Sequence, residues 1–202
     1  MSKTFFISDL HLNHKNILKY EPCRIVAVAE FMVKKGKFRT VEEATQWIND
    51  HLYTYTQEEL NELLYYHNEM LIYKWNKKVK GSDTVWFLGD FGLGSKAALE
   101  GFIPRLNGHK RMILGNHDNL PMSFYLDRGF EYVSKYPIIL KDFFILSHAP
   151  LQYFNDNIPY FNIYGHVHSS EFYQTKTKNT QCVCVERQNF EPVEIEEFNK
   201  YQ

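Results

Sequence analysis

The sequence ISDLHLNHKN, residues 7–16, begins at the end of an apolar run and then presents four potential ligand side chains in eight positions: Asp9, His11, His14 and Asn16. In layered α/β proteins, strands fix positions while the loops that follow them leave side chains free to converge on a ligand. The stretch therefore predicts a buried strand whose carboxyl end carries a functional site.

Four further apolar runs end in polar clusters of the same kind. They are TVWFL before Gly89-Asp90, RMIL before Gly115-Asn116-His117-Asp118, FFIL before Ser147-His148, and FNIY before Gly165-His166-Val167-His168. Strand ends that meet at one edge of a layered fold can share a single site, even when they are far apart in sequence. We therefore predict an α/β chain in which these segments form one site.

The side chains in these clusters favour divalent first-row metals, because imidazole, carboxylate and amide oxygen are ligands that such ions accept. A lone histidine near a strand end is more often structural than a ligand, but five such clusters after apolar runs argue for a site. The candidates outnumber the ligands that one ion accepts, so we predict two ions about 3.5–4 Å apart, which would activate a bridging water and stabilise phosphoryl oxygens. The seven candidate ligands are Asp9, His11, Asp90, Asn116, His148, His166 and His168.

Length and composition indicate one ordinary domain spanning residues 1–202, since 44% of the residues are hydrophobic. The net charge of −1 gives no general attraction to polyanions. Cys23, Cys182 and Cys184 are odd in number and lack the paired spacing of a structural zinc site, which is typical of a reduced intracellular chain. With no secretory or membrane-spanning segment in the sequence, we expect a cytoplasmic protein without a membrane partner.

Two helices are predicted to start at threonines. Thr40 with Glu43, and Thr56 with Glu59, fit the capping box, in which the hydroxyl accepts a free backbone N–H and the acid reaches back. The apolar residues that follow each threonine lie on one helical face, which indicates helices that cover a sheet or each other.

Shorter elements are expected later in the chain. Ser95 can cap a helix over about residues 96–106, and Pro121 can open another that Gly129 ends. The segment QTKTKNT, residues 174–180, is typical of a solvated hairpin tip.

The ordered set of motifs resembles the calcineurin-like metallophosphoesterase superfamily, and within it a branch of small, stand-alone bacterial and phage phosphoesterases. The resemblance covers positions 9–168. It implies a four-layer α-β-β-α fold: two mixed β-sheets in a sandwich flanked by helices, with the metals at one end. The motifs that carry it are Asp9-Leu10-His11, Gly89-Asp90, Gly115-Asn116-His117-Asp118, Ser147-His148-Ala149 and Gly165-His166-Val167-His168.

The resemblance also implies roles for these residues. One ion would be bound by Asp9, His11 and His168, the other by Asn116, His148 and His166, with Asp90 between them. His117 would protonate the leaving group, which suits an imidazole that titrates near neutral pH, and Asp118 would orient its ring. For substrate binding we consider His14, Asn16 and Arg24.

The chain departs from the branch in three places. Asn13 replaces the usual small residue after the first motif, and Ile25 stands where a proline would follow Arg24. The segment from about residue 27 to residue 66 is longer than the corresponding segment of the branch, which indicates a helical insertion. That insertion could be a lid or dimerisation element beside the site, or simply part of the core cover.

The expected activity is metal-dependent hydrolysis of a phosphodiester or phosphomonoester, with a small or nucleotide-like substrate and a metal-bridging hydroxide as nucleophile. Mn²⁺ is the expected ion, with Fe, Zn, Ni or Co as alternatives. The chain could instead be a nuclease on polymeric nucleic acid, or a protein-binding scaffold that has lost catalysis; a homo-oligomer is open. A nuclease would need a basic, aromatic-lined groove, for which the candidate residues are Lys15, Lys19, Arg105, His109, Lys110 and Arg111.

Overall fold

Two β-sheets lie at the centre of the computed structural model, which describes residues 1–152, 157–170 and 178–201, with side chains as far as residue 198. The first sheet has the order β4-β3-β2-β1-β9 and the second the order β5-β6-β7-β8. The strands are β1 Thr4–Ile7, β2 Thr84–Phe87, β3 His109–Ile113, β4 Phe130–Ser134, β5 Ile138–Leu140, β6 Phe144–Ser147, β7 Phe161–Tyr164, β8 Thr180–Cys182 and β9 Val193–Glu194.

Both sheets are mixed. Strands β1 to β4 run parallel and β9 pairs with β1 in the antiparallel sense. In the second sheet β6, β7 and β8 are parallel and β5 is antiparallel to β6. The carboxyl ends of the parallel strands within a sheet therefore lie at the same edge, which is where the sequence places its polar clusters.

Side chains that alternate along β1 pack into two different hydrophobic cores. Phe6 packs into the core between the two sheets, whereas Phe5 and Ile7 pack into the core on the helical side. In β2, Trp86 and Phe87 divide in the same way. This follows from the two-residue period of a strand, which directs neighbouring side chains to opposite faces.

In the described ranges, six α-helices cover the outer face of the first sheet. The buried apolar side chains of all six belong to the helical-side core, so the predicted fold class of two mixed sheets flanked by helices is confirmed. Within the described ranges, no α-helix forms a fourth layer over the second sheet, where Ile139 is 57% exposed. The helices are α1 Ile17–Tyr20, α2 Cys23–Lys34, α3 Val41–His51, α4 Gln57–Lys78, α5 Lys96–Leu99 and α6 Met122–Leu126, with 3₁₀ turns at Ile103–Arg105, Val185–Arg187 and Ile195–Tyr201.

None of the helices in the described part of the chain combines the length and the apolar character needed to cross a membrane.

The two predicted helix starts are confirmed. Thr56 accepts the N–H of Glu59, and the Glu59 carboxylate accepts the N–H of Thr56 at 2.8 Å, which completes a capping box. Thr40 accepts the N–H of Glu43 at 3.2 Å, but the Glu43 carboxylate accepts from the N–H of Arg39 instead. Both caps satisfy backbone donors that the first helical turn leaves free.

The later elements differ from the expectations. The predicted helix over 96–106 is divided into α5 and a 3₁₀ turn, because Pro104 lacks an N–H and its ring clashes with a continuing helix. A helix does begin after Pro121, but it is short: α6 ends at Leu126, before Gly129. Of the predicted hairpin tip at 174–180, residues 174–177 lie outside the described ranges.

The expected insertion at 27–66 begins inside α2 and ends inside α4, so it does not form a separate unit. Its central helix, α3, buries Ala44 and Ile48 completely in the helical-side core. This burial favours the core-cover interpretation over a lid or dimerisation element.

We predict that Thr56→Ala lowers the free energy of unfolding by about 1 kcal/mol, because α4 loses its capping box. Urea unfolding followed by circular dichroism would measure the change. Ser82→Ala, at an exposed turn before β2, is the control and should stay within about 0.5 kcal/mol of the parent. Equal stabilities of the two variants would contradict the role of the cap.

Candidate metal centre

The polar clusters at the strand ends converge into two adjoining groups of side chains. In the first group, ligand atoms of Asp9, His11 and His168 all lie within 4.8 Å of one another. Nε2 of His11 is 3.9 Å from Oδ1 of Asp9, and Nε2 of His168 is 3.7 Å from the same oxygen. One carboxylate oxygen and two imidazole nitrogens thus face a common point.

The second group contains Asp90, His148 and His166, again with ligand atoms within 4.8 Å of one another. Nε2 of His148 lies 2.9 Å from the amide oxygen of Asn116 and 3.2 Å from Nδ1 of His166. The amide oxygen of Asn116 therefore points at the same place as the two imidazoles.

Asp90, a member of the second group, also reaches the first group. Its Oδ2 atom is 3.5 Å from Nε2 of His11 in the first group and 3.5 Å from Nε2 of His148 in the second. Its other oxygen, Oδ1, accepts the backbone N–H of His117 at 2.8 Å. One oxygen is held by the backbone, and the other is equally distant from an imidazole of each group, so it can reach an ion bound in either group.

In Asp9, as in Asp90, one carboxylate oxygen accepts hydrogen bonds and the other faces the imidazoles. Oδ2 accepts the N–H of His166 at 2.9 Å and the thiol of Cys184 at 3.2 Å. Oδ1 is buried and has no hydrogen-bond partner among the described residues, and the same holds for both ring nitrogens of His11. Buried polar atoms without partners are costly. A divalent cation would satisfy Oδ1 of Asp9 and Nε2 of His11, the ring nitrogen that faces it, so the residues present fit a metal.

In two of the histidines, a hydrogen bond to Nδ1 leaves Nε2 as the nitrogen that can bind a metal. Nδ1 of His148 lies 2.7 Å from the carbonyl oxygen of Leu88, to which it can only donate, so its Nε2 carries the lone pair. Nδ1 of His168 lies 2.9 Å from the carboxylate of Glu186 and donates to it. Although burial opposes this, the bond to Glu186 and the charge of Asp9 raise the pKa of His168 to about 9, so a cation at Nε2 would displace a proton. Burial, with the positive charge of Arg24 nearby, lowers the pKa of His11 and keeps that ring neutral.

The backbone at the ligands adopts a conformation that side chains rarely tolerate. Asp9, His11, Asp90, His166 and His168 all have positive φ angles, between 48° and 73°. Each such residue costs on the order of 1–3 kcal/mol and persists only where its surroundings hold it in place. The left-handed turns aim the ligands into the space between the strand ends.

The motif glycines are required because the loops touch. A Cβ atom at Gly115 would lie 2.1 Å from Oδ1 of Asp90, and one at Gly165 would lie 2.4 Å from the hydroxyl of Ser8. Neither position has room for a side chain.

The model of the calcineurin-like phosphoesterase family matches residues 2–197, nearly the whole chain. The chain belongs to this family. An uncharacterized protein of Methanocaldococcus jannaschii is 30% identical over 203 aligned positions, covering 97% of this chain and 89% of that protein. The gene 66 protein of Mycobacterium phage L5 is 33% identical over 121 positions, 58% of this chain and 41% of the phage protein.

A solved structure with the same fold is the protein of unknown function AQ665 from Aquifex aeolicus, with a TM-score of 0.59. It is 19% identical to this chain, and the match covers 100% of both chains. At that identity the likeness shows the fold alone.

In this calcineurin-like phosphoesterase, His117 lies at the open side of the site. Its ring is exposed, and its centroid is 5.4 Å from that of His11. Asn116 and His166 are exposed as well, whereas Asp9 and His11 are buried. The site therefore opens to solvent on the side of the second group.

Asp118 is bonded to the backbone of both neighbouring loops. Its buried carboxylate accepts N–H groups of Asp90 at 2.7 Å, Phe91 at 2.9 Å and Gly115 at 2.8 Å. Burial outweighs these bonds and raises its pKa to about 6. No bond to the His117 ring is found among the described residues, so the expected ring-orienting role of Asp118 has no support in its contacts, which hold two ligand loops together.

Of the three expected substrate-binding residues, His14 lies beside the site. Its half-buried ring is edge-on to His11, with centroids 5.5 Å apart, and its Nδ1 accepts the N–H of Asn16 at 3.1 Å. Asn16 precedes α1 and makes no side-chain cap bond. The side chain of Arg24 is completely buried, so its position gives no support to the expected contact with a substrate.

Sequence reasoning missed Glu186, which holds His168, since it follows the last motif by eighteen positions and no local pattern marks it. The departure at Asn13 has a physical reason: its φ of 59° is left-handed, and asparagine tolerates this region better than other side chains.

We predict that Gly115→Ala destabilises the fold by about 1–3 kcal/mol, the usual cost of overpacking, and weakens Mn²⁺ binding, because the new methyl group displaces Asp90. Urea unfolding and equilibrium dialysis would measure both effects. Gly81→Ala is the matched control, since nothing lies within 4 Å of its added Cβ. A Gly115→Ala protein that behaves like this control would show that the loops are not tightly packed.

Proposed function

We propose that the chain is a dinuclear-metal-dependent phosphoesterase acting on a phosphodiester or phosphomonoester of a small or nucleotide-like molecule. The observation that carries this proposal is the position of Asp90 Oδ2, 3.5 Å from an imidazole nitrogen of each ligand group. Two ions that share a carboxylate are typical of enzymes that hydrolyse phosphate esters.

The residues would divide between the ions as the two groups suggest. Asp9, His11 and His168 would hold one ion and Asn116, His148 and His166 the other, with Asp90 shared. Imidazole with carboxylate and amide oxygen suits Mn²⁺, with Fe, Zn, Ni or Co as alternatives. When bound, the ions supply an activated water nucleophile and positive charge for the phosphoryl oxygens.

Side chains of the protein would protonate the leaving group and contact the substrate. His117 is exposed at the open side of the site, where it can donate a proton to the leaving-group oxygen as the P–O bond breaks. Its backbone N–H bond to Asp90 holds it beside the shared ligand. His14, next to His11, can contact a phosphate oxygen of the bound substrate.

The nuclease alternative has less support. Lys110 is buried and bonded to the carbonyls of Leu106 and Gly108. His109 begins β3 and Arg111 lies at its centre, whereas Asn116 follows the end of that strand. Three of the six basic residues considered for a groove are therefore remote from the ligands. A non-catalytic scaffold is disfavoured by the complete ligand set.

We predict that metal analysis after equilibration with excess Mn²⁺ gives two ions per chain, and that chelation abolishes hydrolysis. Asp90→Asn should hold at most one ion and lose activity, whereas Asp127→Asn, an exposed position, is the control that keeps both. The substrates are bis-p-nitrophenyl phosphate, p-nitrophenyl phosphate, 2′,3′- and 3′,5′-cyclic nucleotides, and single-stranded DNA. One ion per chain at saturating Mn²⁺, or no hydrolysis of any substrate, would contradict the proposal.

We predict that His117→Ala keeps the metals but lowers turnover by ~10²–10⁴, the usual contribution of a general acid. The loss should shrink for p-nitrophenyl esters relative to alkyl esters, because a good leaving group needs less protonation. His109→Ala, at the opposite end of β3, is the control. Equal losses on both ester types, or loss of metal, would show that His117 is not the acid.

A further inference from the structure

A fully buried ion pair lies behind the first ligand group. Arg24, on α2, donates from Nε to Oε1 of Glu186 at 2.8 Å, and its Nη2 atom donates to the same oxygen. Both side chains are 0% exposed, and the residues are 162 positions apart in sequence. Nothing in the motifs of the chain accounts for this pair.

Arg24 holds the loop that carries Asp9 and His11. Its Nη2 donates to the carbonyl oxygen of Asp9 at 2.7 Å, and its Nη1 donates to that of Leu10 at 2.9 Å. These carbonyls belong to the left-handed turn after β1, so they lie where the strand no longer supplies the backbone geometry. The guanidinium satisfies both carbonyls and fixes the turn.

Glu186 holds the other ligand of the same group. Its Oε1 atom lies 2.9 Å from Nδ1 of His168, which leaves Nε2 of that ring facing Oδ1 of Asp9 at 3.7 Å. Carboxylates that receive the second N–H of a metal-binding histidine fix both its tautomer and its orientation. In the second group, His148 is oriented by the backbone carbonyl of Leu88 instead.

We propose that the Arg24–Glu186 ion pair positions the Asp9–His11–His168 site alone and sets its metal affinity independently of the Asn116–His148–His166 site. The proposal rests on the two-metal function proposed above. Within the described residues, the pair contacts both loops of the first group and makes no hydrogen bond to a ligand of the second.

Glu186 could alternatively be a metal ligand itself, since Glu21, His168 and Glu186 also have ligand atoms within 4.8 Å of one another. The guanidinium of Arg24 contacts the Glu186 carboxylate and would repel a cation there. Nδ1 of His168 already contacts Glu186 and its Nε2 faces Asp9, so the ring has no nitrogen left for a separate ion beside Glu186. The positioning role is therefore the better interpretation, and Glu21→Gln distinguishes the two.

The test is Mn²⁺ titration of the full chain by calorimetry, with metal analysis at each step. Glu186→Gln should weaken one site about 10–100-fold and leave the other unchanged. The double variant Arg24→Met with Glu186→Leu removes both charges together, so it avoids an unpaired buried charge and should fold. It should show the same selective loss, while Glu21→Gln should bind as the parent does.

Nitrogen-15 NMR of the histidine rings gives a readout that general destabilisation would not produce. In Zn²⁺-loaded Glu186→Gln and in the double variant, the His168 signals should lose the pattern of a ring bound through Nε2, while those of His148 keep theirs. Equal weakening of both sites, unchanged binding in folded variants, or weakening by Glu21→Gln would overturn the proposal. A parent that binds two ions without hydrolysing any ester would refute the proposed activity and leave this inference standing.

Discussion

The contact between the strand-end loops is the constraint on which the site depends. At Gly115 there is no space for even one methyl group beside Asp90, and at Gly165 none beside Ser8. The Asp118 carboxylate binds the backbone of the Asp90 loop and the Gly115 loop at once. Because these loops are held against each other, the ligands that they carry have little freedom to move apart.

This contact has an energetic consequence. Asp9 and Asp90 are 0% and 1% exposed and lie close together between several imidazoles. Burying carboxylates in this way is costly unless they are paired or bind metals. The folded chain holds strained, left-handed turns and buried charges at the same place, and cations that bind only the folded state would stabilise it. Folding and metal binding are therefore coupled through the same residues.

Much of this arrangement could be predicted from local sequence. Apolar runs that end in Asp9, Asp90 or His148 mark strand ends, and Thr56 with Glu59 marks a helix start, because each signal lies within a few residues. Arg24 and Glu186 could not be assigned in this way. Their partners are distant in the chain, so only the folded structure shows that Arg24 faces inward. The helix predicted after Ser95 is divided because of Pro104. The cap and the apolar pattern alone predicted one continuous helix, since they took no account of this proline.

Anomalous diffraction from crystals of the Mn²⁺-loaded chain tests the central claim most directly, because it locates the ions without reference to activity. We predict two peaks about 3.5–4 Å apart, one beside Asp9, His11 and His168, the other beside Asn116, His148 and His166, with Asp90 in contact with both. A single peak, or a second peak that Asp90 does not touch, would contradict it.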